Sequence, residues 1–178
     1  TIEEAIELGM GLATALRDLH AANIVHRDVK PANIIMQPLH EGGQRAVFVD
    51  LGVSRRIPDG NQRDDERLTE ITSLDRAVGT LEYMAPEQLV CSRTVTTEAD
   101  IYALGAILFR AVTGRYIFGD LRGTELIQVK LNFDPPALET GRSDRIAQVF
   151  EAVIARALAS KLGKRYELID ELCADLCL

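Results

Sequence analysis

The stretch that decides how this chain is read runs from residue 24 to residue 33: Ile24-Val25-His26-Arg27-Asp28-Val29-Lys30-Pro31-Ala32-Asn33. Short apolar or β-branched runs flank it at 23–25 and 34–36, so its polar residues fall on a loop between two predicted strands. That loop carries one carboxylate, one ammonium and one amide. Seventeen residues after Asn33, Asp50 ends another predicted strand, 46–49, and is followed by Leu51 and Gly52. A carboxylate at a strand end with a glycine two residues on can approach a cation without crowding. Asn33 and Asp50 supply hard oxygen ligands, which suit Mg²⁺. Lys30 supplies a point positive charge for a phosphate, and Asp28 an acceptor for a hydroxyl proton. This set covers most of what phosphoryl transfer asks of a protein, namely positioning and neutralisation of oxygen charge.

Outward from this loop the chain reads mainly as helix. Thr1 and Glu4 have the spacing of a capping box. Ile2, Ala5, Ile6, Gly9, Leu12, Ala13, Leu16 and Leu19 then recur every three or four residues, which predicts one amphipathic helix ending near His20. Gly9 and Gly11 lack both a third glycine and a preceding strand, so they do not form a phosphate-binding glycine loop. Glu41, Gly42 and Gly43 separate the runs 34–36 and 46–49 and predict a hairpin. Residues 54–77 are polar and aperiodic, with Arg55, Arg56, Arg63 and Arg67 interleaved with Asp59, Asp64, Asp65 and Glu66; a solvated, functional loop is expected there. Residues 101–112 are apolar nearly all round, opened by Thr96, Thr97 and Glu98 and closed by Gly114, which predicts a central buried helix. After Pro135 and Pro136, helices are expected over 146–159 and 167–176.

With these residues in place the sequence resembles the eukaryotic-type Ser/Thr protein kinase family, with wording that leans towards its bacterial members. His26-Arg27-Asp28 with Lys30 and Asn33 matches the catalytic loop. Asp50-Leu51-Gly52 matches the metal-binding motif, with Leu where the family more often has Phe. Gly79-Thr80 and Tyr83-Met84-Ala85-Pro86-Glu87 match the substrate-facing loop and the motif that ends the activation segment. Asp100-Ile101-Tyr102-Ala103-Leu104-Gly105 resembles the start of the buried central helix, and Arg165 in Lys164-Arg165-Tyr166 the partner of Glu87. Leu162-Gly163 stands where the family often has Asp-Pro.

The resemblance implies roles. Asp28 would orient the substrate hydroxyl and take its proton, Lys30 would contact the γ-phosphate, and Thr80 would support both. Asn33 and Asp50 would hold Mg²⁺, and Ile35 would lie under the adenine of ATP. His26 and Leu51 would pack in the apolar stack that joins the lobes, and Asp100 would hold the catalytic loop through backbone amides. Arg27 would read a phosphate on Thr72, or on Thr69 or Ser73. The expected fold is mainly α (α+β family), a protein kinase-like C-terminal lobe, helical with short β-hairpins near the active site. The family's glycine-rich loop and strand lysine are not found. Residues 1–178 are thus expected to be a partial kinase domain that lacks its N-lobe, is inactive alone, offers adenine half a pocket, and leaves in water the apolar surface that normally meets the small lobe.

Composition agrees with a globular domain. The 178 residues hold 27 acidic against 20 basic side chains, a net charge of −7, which argues against nucleic acid as the main partner. No apolar run approaches the roughly 18 residues of a spanning helix; the longest, 101–109, stops at Arg110. No signal peptide is visible, and the expected location is cytoplasmic. Cys91, Cys173 and Cys177 do not describe a disulfide framework; Cys173 and Cys177, four apart, could offer two metal ligands but lack companions, so reduced buried thiols are expected. The expected partners are ATP and a protein substrate. Two alternatives remain: a non-catalytic kinase-like binding or regulatory module, and a substrate-docking module.

Overall fold

The structure is a computed structural model and describes residues 1–39, 43–50, 80–90 and 95–177, with the backbone of Arg55 and Arg56. The first helix, α1 (Ile2–Ala21), starts on the capping box, Thr1 Oγ1 accepting from Glu4 N at 3.2 Å. It buries Ile2, Ala5, Gly9, Leu12, Ala13 and Leu16, the stripe that the three-and-four spacing predicts. A short strand, β1 (Ile24–Val25), pairs antiparallel with β4 (Arg55–Arg56). This corrects the reading of Arg55 and Arg56 as loop: two polar residues gave no alternation to read, and their pairing is with residues some thirty positions earlier. The hairpin of β2 (Ile34–Pro38) and β3 (Gln44–Phe48) forms as expected, from Ile34 opposite Phe48 to Pro38 opposite Gln44.

The remaining elements are helical: α2 (Pro86–Val90), α3 (Glu98–Thr113), α4 (Gly123–Asn132), α5 (Arg145–Ala157) and α6 (Ile169–Leu176). Every residue of α3 from Ala99 to Phe109 is buried, so it lies at the centre, packed on α1 and α5, with α6 against α1. Each fully buried leucine or isoleucine there contributes roughly 1.5–3 kcal/mol. Two glycines allow the helices to approach. A Cβ at Gly9 would meet Leu108 Cδ1 at 3.0 Å and Leu176 Cδ1 at 3.3 Å. A Cβ at Gly105 would meet the Ala157 Cβ at 3.0 Å and Leu158 Cδ2 at 3.2 Å. Gly9 is therefore a packing residue of α1, in keeping with its exclusion from a phosphate loop.

Two helices, α2 and α4, escape a reading based on apolar periodicity. Helix α2 spans a single turn. Helix α4 buries only Leu126 and Lys130, so a cation occupies half of its inner face and imitates a surface position. Burial holds the Lys130 ammonium down to about 7, against the opposing pull of the Glu82 and Glu87 carboxylates. Cys173 is buried in α6, and its thiol is pushed up by burial, whereas Cys177 is exposed. Among the described residues no helix is long and apolar enough to cross a membrane.

Two outcomes follow from this packing. Gly105→Val forces β-branched bulk against the Ala157 methyl, and denaturant unfolding is expected to show a loss of about 1–3 kcal/mol. For Lys130, the unfolded chain binds the proton up to an ordinary lysine value near 10.4, while the folded chain releases it near 7. Unfolding therefore takes up a proton between those limits, and stability rises with pH there, by at most about 1.4 kcal/mol per pH unit. Denaturant midpoints at pH 7 and 9 are expected to move apart in wild type relative to Lys130→Met, which lacks the titrating group.

Candidate active site

The loop between β1 and β2 is held by one carboxylate. Asp100, in the first turn of α3 and 1% exposed, accepts from His26 N at 2.9 Å and Arg27 N at 2.8 Å. Its Oδ2 also lies 2.9 Å from His20 Nε2, at the end of α1. A carboxylate in the first helical turn is favoured by the backbone amides there, and three donors offset its burial. Arg27 takes a left-handed conformation, φ 67°, so the chain turns sharply just before Asp28. Such backbone costs about 1–3 kcal/mol for a residue with a side chain and persists only where its surroundings enforce it. The enforcing contacts are the Asp100 carboxylate on its amide, Gln88 Nε2 on its carbonyl at 2.8 Å, and the Val95 carbonyl, which accepts from Arg27 Nη2 at 3.1 Å. His26 is fully buried, its ring edge-on to Phe48 with centroids 5.2 Å apart.

Beyond the turn four side chains meet. Asp28 Oδ2 accepts from Lys30 Nζ at 2.8 Å and from Asn33 Nδ2 at 2.9 Å, and Asn33 Nδ2 also reaches the Asp28 carbonyl at 2.9 Å. Lys30 Nζ donates to Thr80 Oγ1 at 2.8 Å. Asp28 Oδ1 is buried and has no hydrogen-bond partner among the described residues. A buried acceptor without a donor is costly, and catalytic sites are one place where such groups persist. Asn33 is 6% exposed on the single 3-10 turn Pro31–Asn33. With Nδ2 committed to Asp28, its Oδ1 is the atom that faces other partners. Val49 N donates to the Asn33 carbonyl at 2.9 Å, so the exposed Asp50 leaves β3 beside Asn33, at φ 60°. Two hard oxygen donors, one just before β2 and one just after β3, match what Mg²⁺ requires when phosphate oxygens complete its shell.

Ile35 is 54% exposed on β2, and Met36 and Leu39 continue this open apolar edge. Nearby, Leu8, Leu12, Ile34, Met36 and Ile107, together with Arg110, line a groove of about 500 Å³. Glu87 and Arg165 meet through two contacts, at 2.7 and 3.2 Å. Arg165 also donates to the carbonyls of Ala159 and Glu98, which engages all five of its N–H groups. The structure thus brings Asp28, Lys30, Asn33 and Thr80 together and sets Asp50 beside Asn33. Leu51, Thr69, Thr72 and Ser73 lie outside the described residues.

Sequence reasoning passed over two contributors. Gln88 bridges Ala85 N, which it accepts at 2.8 Å, and the Arg27 carbonyl; its place right after Glu87 was the available signal. Lys130 donates to the carbonyls of Glu82 and Met84, and no sequence signal marked it.

Comparison with known proteins identifies the family. The protein kinase domain matches residues 1–175. The chain is 32% identical over 176 residues to the serine/threonine-protein kinase PknB of Mycobacterium leprae, covering 98% of this chain and 26% of that protein. It is 32% identical over 161 residues to PknJ of Mycobacterium tuberculosis, 90% of this chain and 26% of the other. PknF of Mycobacterium tuberculosis is 32% identical over 166 residues, 92% and 32% respectively. The chain spans about a quarter to a third of the length of these relatives. The chain belongs to the protein kinase family, among relatives that are bacterial serine/threonine kinases.

Proposed function

We propose that these residues form the large-lobe half of a site that transfers the γ-phosphoryl group of ATP to serine or threonine hydroxyls of proteins. The observation that carries this reading is the buried Asp28 Oδ1, without a partner among the described residues, while Oδ2 is held by Lys30 and Asn33. Oδ1 orients the acceptor hydroxyl and takes its proton as the new O–P bond forms and the bond from the γ-phosphorus to the bridging oxygen of ADP breaks. Lys30, steered by Thr80 Oγ1, sets its ammonium against the transferring phosphate. Mg²⁺, when bound with ATP, would be held by Asn33 and Asp50 and would neutralise phosphate charge. Ile35 offers apolar surface to the adenine. The reading of residues 1–178 as a partial kinase domain stands on the same family pattern. These residues contain neither the glycine-rich loop nor the strand lysine that the chemistry also uses, and alone they are proposed to be inactive.

Regulation belongs to the same proposal. Phosphate on Thr72, or on Thr69 or Ser73, would add charge for Arg27 to pair with and order the segment that bears it.

Phosphate transfer is best measured in the full-length protein, on the best acceptor found in a degenerate serine/threonine peptide library. Asp28→Asn keeps the shape and removes the proton acceptor, and is expected to lower kcat by about a thousandfold while ATP binding changes little. Transfer that survives Asp28→Asn, or a wild-type protein with none, refutes the enzyme reading and favours a non-catalytic binding module. Phosphopeptide mapping of the active protein is expected to find phosphate on Thr72. A map without phosphate between residues 54 and 80 removes the regulatory part.

A further inference from the structure

Lysine is almost never fully buried unless it is paired, yet Lys130 is 1% exposed on the inner face of α4. Its Nζ donates to the Met84 carbonyl at 2.6 Å and to the Glu82 carbonyl at 3.2 Å. The Tyr102 ring centroid lies 5.1 Å from it, a contact that strengthens where water is excluded. No carboxylate pairs with it among the described residues; the Glu82 carboxylate turns to Arg122 Nε at 3.3 Å instead. The cation is therefore held by backbone carbonyls and an aromatic face.

Both carbonyls belong to one turn. The Thr80 carbonyl accepts from Tyr83 N at 3.1 Å and Met84 N at 3.2 Å, and Thr80 Oγ1 accepts from Lys30 at 2.8 Å. Gln88 locks the far end of this turn to the catalytic loop through Ala85 N and the Arg27 carbonyl. The middle of the turn is locked by Lys130. Burying an ammonium costs several kcal/mol, and a methionine of similar length would fill the same space. What methionine cannot do is bind two inward-facing carbonyls.

Resting on the phosphoryl-transfer reading above, we propose that Lys130 is a positioning residue for the protein substrate, fixing through the Glu82 and Met84 carbonyls the turn 80–84 along which an extended acceptor peptide lies. The geometry sets that turn beside the site: Thr80 touches the Lys30 ammonium shared with Asp28, and Thr80, Tyr83 and Met84 line one small cavity with Asp28. Asn33, Ile35 and Asp50, the residues proposed to meet the nucleotide and its metal, lie on or beside the β2–β3 hairpin, whereas Lys130 contacts Glu82, Met84 and Tyr102. Its loss therefore loosens peptide recognition and spares ATP.

In the full-length protein, Lys130→Met is expected to raise KM for the best library peptide at least tenfold, while KM for ATP stays within twofold. Amide exchange at Tyr83 and Met84 is expected to accelerate, with His26 and Arg27 unchanged. Unchanged peptide KM in folded Lys130→Met overturns the assignment, and so does an equal rise in KM for ATP. Should Lys130→Met fail to fold, Lys130→Gln, which keeps an N–H donor on a shorter stem, is held to the same two outcomes. A wild-type protein without transfer activity removes the reading beneath the proposal. A wild type that transfers phosphate, matched by its variant, removes Lys130 alone.

Discussion

A carboxylate taken out of water must find donors, and Asp100 finds three of them on segments far apart in sequence. It accepts from the consecutive amides of His26 and Arg27 and lies within hydrogen-bond distance of His20 at the end of α1. The rest of the site depends on this contact. It fastens the end of α1 and the loop after β1 to the first turn of the central helix, and it stabilises the left-handed turn at Arg27 that presents Asp28. An asparagine there would keep the shape but lose the charge that makes these hydrogen bonds strong.

The same helix organises a second region two residues further on. The Tyr102 ring is fully buried between two cations, with Arg165 Cζ 5.0 Å and Lys130 Nζ 5.1 Å from its centroid. Burial pushes its phenol above the ordinary tyrosine value, and its hydroxyl has no partner among the described residues. The two cations are satisfied differently. Arg165 meets a carboxylate and two carbonyls with all five donors, so loss of Glu87 would strand a buried charge, a defect of roughly 3–5 kcal/mol. Lys130 meets carbonyls only, and its effect falls on the turn that owns them. One cation thus fastens α2 to the core, and the other shapes the turn that precedes it.

How far this was legible follows from where each signal sits along the chain. Asp28, Lys30 and Asn33 lie within ten residues of one another, and their residue types together with the family motif carried them. The hairpin at 34–48 and the helices α1, α3, α5 and α6 wrote their periods into the sequence, with ends displaced by a few residues. Arg55 and Arg56 could not be read as a strand, because their structure comes from pairing with Ile24 and Val25. Helix α4 was silent because a cation stands where its second core residue would be. Gly9 is excluded from a phosphate loop by the sequence alone, but its packing role shows only in the Leu108 and Leu176 side chains against it.

The two halves of the proposed site differ in burial, and this difference bears on how it would work. Asp28, Lys30 and Thr80 are tied through Asp100 and Gln88 to α3 and α2, so the groups proposed to meet the hydroxyl and the transferring phosphate are braced by buried hydrogen bonds. Asp50 is exposed, at φ 60°, beyond the last ladder contact at Val49. A phosphate acceptor needs its attacking oxygen placed within a fraction of an ångström, because misplacement is penalised steeply. A metal ligand tolerates more, since the cation itself draws an oxygen into place. The buried hydrogen bonds fall where position cannot be recovered by charge, and the carboxylate proposed to meet the metal is the exposed one.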